Sequence, residues 1–451
     1  MLATGKLSPE IHGDVAPARS VAPRGHMEAA PPLPHVVVVG GGFGGITVAK
    51  ALAHTPVRVT LIDKRNYHLF QPLLYQVATA GLSPAQIAAP IRTIFRDQKN
   101  ATVLMEDVSG VDVAAREVLT AESRIPFDYL VLATGARHSY FGHDDWEPFA
   151  PGLKSLEDAT EIRARILSAF ERAETECDKS EQARLLTFIV VGGGPTGVEL
   201  AGKIIEIARH ALRKEFRNID PATARVFLVE AGPRLLPAFP EILSRDAKAR
   251  LEKLGVDVRL GQPVSACDAF GAVVGGEQLP ARTILWAAGV ASSPAARWLG
   301  IAADRAGRAF VGSNLAAPGH PYIFVIGDTA SAKSANGKLV PGLASAAKQQ
   351  GYYVAQVIKA MLSGRTAPKP FRYTDFGNLA TVGRNAAVID LGKLKLTGFP
   401  AWVLWSVAHI YFLIGFRSRL TVAVDWVWSY LTYKRSARLI TGGPNGAKQS
   451  S

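Results

Sequence analysis

Two short glycine runs stand out by residue type and spacing: Gly40-Gly41-Gly42-Phe43-Gly44-Gly45 and Gly192-Gly193-Gly194-Pro195-Thr196-Gly197. Each fits Gly-x-Gly-x-x-Gly, the first as Gly40, Gly42 and Gly45, the second as Gly192, Gly194 and Gly197. That spacing suits the binding of a dinucleotide pyrophosphate. The first glycine permits a tight turn and the second lets the phosphates approach the backbone. The third lets the following helix pack close to the strand, with its free N–H groups facing the anion. An acid closes the next strand-like run in both places, Asp63 and Glu230, where a carboxylate accepts ribose hydroxyl hydrogen bonds. Glu230 would repel a 2′-phosphate and so favours NAD over NADP, with Arg234 as the competing feature. Alone, such a run could be a glycine-rich surface loop; the flanking pattern favours the nucleotide site.

The elements that must position these residues are legible as well. Val36–Val39 is a continuous β-branched run, which reads as a buried parallel strand, and Ile46–Leu52 reads as a helix. Val57–Ile62 is the next strand. The second copy runs through a strand at Thr187–Val191, a helix at Val198–Ala208 and a strand at Val226–Val229. The expected fold class is α/β, with two Rossmann-like dinucleotide-binding domains and a C-terminal amphipathic helical region for membrane anchoring. Two dinucleotide sites in one chain imply a hydride donor and a hydride acceptor, a need met by a flavin beside a nicotinamide.

Composition sets further bounds. The 451 residues carry 51 Lys and Arg against 38 Asp and Glu, a net charge of +13. No basic run with interleaved aromatics precedes the C-terminal tail, so no nucleic-acid partner is expected. The two cysteines, Cys177 and Cys267, lie far apart and outside both glycine turns. They cannot form a vicinal redox pair or an iron–sulfur site, and no cluster has metal-ligand spacing. Residues 1–34 are rich in Pro and Ala without an apolar period and are expected to be disordered, with no secretory signal and hence a cytosolic setting.

Three more strand-like runs end in small-residue turns: Tyr129–Leu132 before Ala133-Thr134-Gly135, Ile284–Trp286 before Ala287-Ala288-Gly289, and Ile323–Ile326 before Gly327-Asp328. Arranged around two Rossmann units, they resemble the two-dinucleotide-domain flavoprotein disulfide-reductase superfamily, without its cysteine pair. Electrons would then leave the flavin directly. More narrowly, residues 35–440 resemble the type II NADH:quinone oxidoreductases. The stretches that carry this are Asn66–Ala78 (NYHLFQPLLYQVA), Gly192–Gly202 (GGGPTGVELAG), Val229–Pro240 (VEAGPRLLPAFP), Pro341–Gly351 (PGLASAAKQQG) and the aromatic tail.

The resemblance implies noncovalent FAD, NADH as donor, a membrane quinone as acceptor and no proton pumping. It implies an FAD-binding domain at 35–150 and 301–395, an NADH-binding domain at 151–300 and membrane-association helices at 396–451. The expected FAD contacts are Gly40, Gly42, Gly44, Gly45, Asp63, Lys64, Thr134, Gly135, Gly327, Asp328 and Lys395. The expected NAD contacts are Gly192, Gly194, Gly197, Glu230 and Gly289. Glu199 is placed in the first turn of the second Rossmann helix, where the helix dipole alone could stabilise it; the resemblance puts it in a path linked to quinone protonation. Gln349 and Lys348 are expected beside the flavin and the quinone entrance. Ser345 stands where some members carry Gln. His68 is expected to satisfy a local hydrogen bond.

Four of the seven tryptophans, Trp402, Trp405, Trp426 and Trp428, lie between residues 399 and 433. Trp and Tyr favour the headgroup level of a bilayer. Residues 399–451 carry six basic residues and one acid, which suits an anionic cytoplasmic leaflet. Two linked helices lying in the interface are expected, with a spanning helix or a homodimer core as alternatives. The expected location is the cytoplasmic face of the cell membrane, bound peripherally. The rival activity is a soluble reductase of an iron–sulfur protein, which leaves the aromatic tail unexplained.

Overall fold

The computed structural model describes residues 32–432 and 437–441. Apart from residues 32–34, the disorder expected of 1–34 lies outside the described residues. Two parallel sheets organise the chain. In the first, the strands Ala101–Met105, Arg58–Asp63, His35–Val39, Tyr129–Leu132 and His320–Val325 lie side by side in that order. A short strand, Ala316–Ala317, adds to the edge antiparallel. In the second sheet the order is Val256–Leu260, Arg225–Glu230, Thr187–Val191 and Thr283–Trp286. Counting the parallel strands along the chain, the first sheet reads 3-2-1-4-5 and the second 3-2-1-4, so the first four positions repeat.

The repeat extends further than the glycine runs. A three-stranded antiparallel meander separates the third and fourth strands of each sheet, at Val108–Pro126 in one and Val264–Pro280 in the other. Past their first residues, His35 and Thr187, the central strands are apolar because they are buried on both faces; Val36, Val37 and Val38 are fully buried, as are Phe188, Ile189 and Val190. Beyond each fourth strand, Ala136–His138 pairs antiparallel with Val290–Ser292 and ties the two halves together.

The helix Ala344–Leu362 crosses Phe43–Ala51 at a glycine contact. A Cβ on Gly351 would stand 2.5 Å from the Gly44 carbonyl oxygen, so only glycine allows this approach. The chain then forms a small antiparallel sheet, Asn378–Thr381, Ala387–Asp390 and Lys395–Thr397, and ends in the helices Gly398–Phe412 and Phe416–Thr432. The first tail helix is shorter than its apolar run: Leu413 turns to extended backbone and Gly415 adopts a positive φ of 86°. Its 15 residues span about 22 Å at ~1.5 Å per residue, against a bilayer core of about 30 Å. No helix among the described residues is long and apolar enough to cross a membrane.

Candidate dinucleotide and electron-transfer site

Both glycine turns sit where the strand order reverses, at the carboxyl ends of the central strands, the position at which open α/β sheets bind ligands. Their geometry is the same in the two copies. Gly40 and Gly192 have φ of 108° and 109°, and a Cβ on either would collide with the neighbouring small-residue turn, at Ala133 or Ala287. A Cβ on Gly45 would overlap the Gly40 carbonyl, and one on Gly197 the Gly192 carbonyl. By contrast, nothing lies within 4 Å of a Cβ built on Gly42 or Gly194. These two glycines cap the helices Phe43–Ala51 and Pro195–Glu206. The open space above two helix N-termini fits a dinucleotide pyrophosphate at each.

The acids brace the turns. Asp63 Oδ2 accepts from the Gly41 N–H at 2.6 Å and Oδ1 from Arg65 N–H at 2.8 Å, while burial raises its pKa. Glu230 accepts from Gly193 N–H at 2.5 Å and from Gly232 N–H at 2.6 Å. Arg234 is engaged elsewhere: it donates to the carbonyls of Phe239 (2.6 Å) and Pro237 (2.7 Å) and to Ser244 Oγ (3.2 Å). That removes the feature competing with the NAD reading of Glu230.

Around the first crevice, Thr134 Oγ1 pairs with Ser293 Oγ at 2.5 Å, and Gly135 N–H donates to Thr329 Oγ1 at 2.8 Å. Gly135 and Gly289 share a φ of 71°, completing the symmetry of the small-residue turns. Gly327 N–H donates to Gln350 Oε1 at 2.6 Å. Asp328 is the charged group facing the part-buried Lys154, whose pKa is lowered by burial. Thr329, Gln350 and Lys154 were not singled out from the sequence. Gln350 is the fully buried neighbour of Gln349, and its inward helical phase was the available signal.

Other expected residues fall differently. Gly44 faces Ile326 and the Ala347 carbonyl, so its small size serves the helix crossing. Lys64 is exposed beside Asp63. Lys395 is exposed on the outer strand of the small sheet, which packs on Glu241–Leu254 and the first tail helix, and the structure does not bring it to the first crevice. The reason is local: the antiparallel register sets it opposite Asp390 at the sheet edge. Gln349 uses both ends of its amide on the Thr374 backbone, at 2.9 and 2.8 Å. Lys348 places its ammonium over the rings of Phe43 (5.4 Å) and Phe412 (5.2 Å), joining the first glycine-turn helix to the tail, with its pKa lowered by burial. His68 donates from Nδ1 to the Gly41 carbonyl at 2.9 Å, and burial lowers its pKa to about 4.

Glu199 lies in the second turn of its helix, not the first, because the helix begins at Pro195. The side chain is 7% exposed, and burial raises its pKa to about 8. Dipole stabilisation of a carboxylate is therefore the wrong description; desolvation dominates and the neutral acid is favoured at pH 7. Gly202, one turn on, sets its place: a Cβ there would be 2.9 Å from Gly383 N, so the helix packs against the small sheet and brings Glu199 to Thr381.

The tail closes over this region. Trp405 stacks on His409 (4.0 Å) and faces Trp426 (5.3 Å), and Trp402 stacks on Tyr430 (5.8 Å). Between the tail helices and the body lies a partly open pocket of about 70 Å³, lined by Tyr75, Gln76, Thr381, Trp402, Trp405 and Trp426 among others.

Comparison with known proteins agrees with this geometry. The pyridine nucleotide-disulphide oxidoreductase model matches residues 34–351, and the NDH2 C-terminal domain model matches residues 376–435. The chain is 44% identical over 437 residues to the type II NADH:quinone oxidoreductase Ndh of Mycobacterium tuberculosis, covering 93% of each chain. It is 44% identical over 423 residues to NdhA of the same organism, covering 90% of this chain and 89% of that one. In fold it resembles NDH2 from Plasmodium falciparum, solved in complex with NADH, with a TM-score of 0.82 at 21% identity, covering 89% of this chain and 99% of that one. The iron–sulfur protein reductase reading is not favoured, since the tail itself matches the NDH2 C-terminal domain. The chain belongs to the type II NADH:quinone oxidoreductase family.

Proposed function

We propose that this chain oxidises NADH and reduces a membrane quinone, with FAD held on the first glycine turn and NADH on the second. The observation that carries this is the duplicated turn geometry, with Gly42 and Gly194 each open above a helix N-terminus. FAD held there would supply the chemistry of accepting hydride from NADH and donating two electrons to the quinone. On this reading residues 35–150 and 301–395 hold FAD, 151–300 hold NADH, and 396–451 meet the membrane. Gly40, Gly42, Gly45, Asp63, Lys64, Thr134, Gly135, Gly327 and Asp328 form the FAD cradle. Gly192, Gly194, Gly197, Glu230 and Gly289 form the NADH cradle.

The chain's own contribution is positioning, exclusion of water and placement of one proton. The rings of Phe43, Phe70 and Phe412 wall the approach from the tail. Lys348 holds its ammonium between Phe43 and Phe412. Glu199 keeps a proton at neutral pH on the second Rossmann helix. The test is steady-state NADH oxidation with a short-chain quinone and, separately, a ferredoxin-type iron–sulfur protein as acceptor. Turnover with the quinone and none with the iron–sulfur protein supports the reading; the reverse overturns it.

NADH preference follows from Glu230. Glu230→Gln removes a charge-assisted hydrogen bond worth roughly 1.5–3 kcal/mol, so the KM for NADH should rise at least about tenfold. NADPH should gain little, because Arg234 stays on its carbonyls. Paired KM measurements with the two nucleotides check this; an efficient NADPH enzyme would contradict it.

The lipid reading rests on an inverted pattern in the second tail helix. Its polar residues Thr421, Asp425, Ser429 and Thr432 are half-buried toward the body, and Asp425 accepts from Gln86 Nε2 at 2.5 Å. Val422 and Trp426 pack inward with them, while the opposite face is apolar and outward, with Val427 61% and Leu431 69% exposed. The first tail helix presents Val407 at 60% and Tyr411 at 67% on its outer face. A water-facing helix has the opposite arrangement. We place this face on the cytoplasmic leaflet. Val407→Asp with Val427→Asp should cut sedimentation with anionic vesicles about tenfold or more, given roughly 1.5–3 kcal/mol per buried apolar side chain. Unchanged vesicle binding together with loss of a dimer would instead assign the face to a second copy of the chain.

A further inference from the structure

We propose that Thr381 and Tyr75 form a proton relay that recharges the Glu199 carboxyl from the pocket beneath the tail helices. The proposal rests on the NADH:quinone reading and adds the route by which the solvent proton enters. Glu199 Oε1 accepts from Thr381 N–H at 3.3 Å and from Thr381 Oγ1 at 3.5 Å. Its other oxygen, Oε2, has no hydrogen-bond partner among the described residues.

The direction of the chain is set from its far end. The indole of Trp426 can only donate, and it donates to Gln76 Oε1 at 2.8 Å. The Gln76 amide is thereby oriented, and its Nε2 donates to the Tyr75 hydroxyl oxygen at 3.1 Å. The Tyr75 proton is then directed to its other partner, Thr381 Oγ1, at 3.0 Å. Thr381 in turn has its own proton left for Glu199. Every donor therefore points toward the carboxyl. The four side chains come from positions up to 350 residues apart, yet they form one continuous line.

The pocket supplies the outer end. Tyr75, Gln76 and Thr381 all line it, and it is partly open. Trp405, 2% exposed, lines it too, and its Nε1 has no hydrogen-bond partner among the described residues. Among the described residues, the buried Oδ1 of Asn385 is likewise without one. Unpartnered polar atoms in a roomy, partly polar pocket are conditions under which ordered water enters. The charged groups around the relay are Lys203, one turn after Glu199, with Glu206, which it pairs at 2.9 Å, and Arg384 on the pocket wall. Lys203 lowers the Glu199 pKa without offsetting burial.

The balance is that of the overall reaction, in which NADH, one proton and a quinone give NAD+ and a quinol. Hydride carries one hydrogen and both electrons, and solvent supplies the other proton. Glu199 releases its proton toward the reduced quinone while Thr381 passes one to Oε1. Tyr75 passes one to Thr381, and pocket water passes one to Tyr75. Rotation of the carboxyl and the two hydroxyls resets the line.

The test uses the full chain with FAD bound. NADH-driven bleaching of the flavin is recorded first, because its absence would defeat the functional reading and not the relay. The Glu199 carboxyl stretch, assigned by difference from Glu199→Gln, is then followed by infrared spectroscopy after transfer to D2O. Thr381→Val and Tyr75→Phe should each slow hydrogen–deuterium exchange at this carboxyl at least tenfold, and Thr381→Ser should restore it. The alkaline limb of quinone-driven reoxidation should move to lower pH in the same two variants. Tyr75→Phe is nearly isosteric and decides the matter even if Thr381→Val does not fold. Native exchange rates in a folded Tyr75→Phe protein would overturn the proposal.

Discussion

Gly45→Val should give a colourless protein, whereas Gly197→Val should give a yellow one that NADH does not bleach. A Cβ at either position overlaps the carbonyl of the first glycine of its own turn, Gly40 or Gly192. The helix must then withdraw from the strand, and its N-terminal N–H groups leave the phosphates. Overpacking of this kind typically costs about 1–3 kcal/mol, and about 1.4 kcal/mol is already tenfold in affinity. The two substitutions are chemically identical and occupy equivalent places in the repeat, so a difference in outcome reports which dinucleotide each crevice takes. FAD content by absorbance and anaerobic NADH titration are the measurements. Loss of flavin from both variants, or from Gly197→Val alone, would contradict the assignment of the two units.

Glu199→Gln should flatten a pH dependence of stability and slow reoxidation by quinone. The folded carboxyl titrates near 8 and the free one near 4.5. Between those values the folded protein holds one proton more than the unfolded chain, so stability falls as pH rises through this window. Below it both states are protonated and the cost vanishes. Each pKa unit corresponds to about 1.4 kcal/mol, so the loss across the window is on the order of a few kcal/mol. Gln mimics the neutral acid and cannot ionise, so the variant should exceed the native protein in stability at pH 9 and match it near pH 5. Denaturant midpoints at the two pH values check this. Removal of a positioned proton donor should also slow quinone-driven reoxidation by about a hundredfold. Equal pH slopes in the two proteins would show that the carboxyl is not held neutral.

The glycine turns were legible because their constraint is local. A positive φ at Gly40, the collision that a Cβ would cause at Gly45 and the apolar strand before them all arise within a dozen residues, and the second copy repeats them. The central strands followed for the same reason: burial on both faces writes an unbroken apolar run. The tail was legible in composition, while its orientation was not. Thr421, Asp425, Ser429 and Thr432 marked one face, but only packing shows that this face turns inward toward Gln86 and Arg384.

What the sequence left hidden depends on long-range register. Thr381 meets Glu199 across 182 positions, and Tyr75 meets Thr381 across 306. Nothing in the local pattern of either marks it as a partner of the acid. Lys395 shows the converse: a basic residue before the aromatic tail suggested a cofactor contact, but an edge-strand register leaves it facing solvent. Gln349 and Gln350 differ by one step of helical phase, which sends one amide to the Thr374 backbone and the other to Gly327.

The central claim is that bound FAD carries electrons from NADH to quinone with no thiol between them. Among the described residues, Cys177 is exposed and Cys267 is buried on a peripheral strand. The most direct measurement is the visible spectrum of the detergent-purified protein under anaerobic conditions, recorded before and after stoichiometric NADH and again after a short-chain quinone, in the native chain and in a variant with both cysteines replaced by serine. Bleaching by NADH and full recovery with quinone are expected in both proteins. A preparation that holds no flavin even after reconstitution, or a bleached flavin that quinone does not restore once the cysteines are gone, would contradict it.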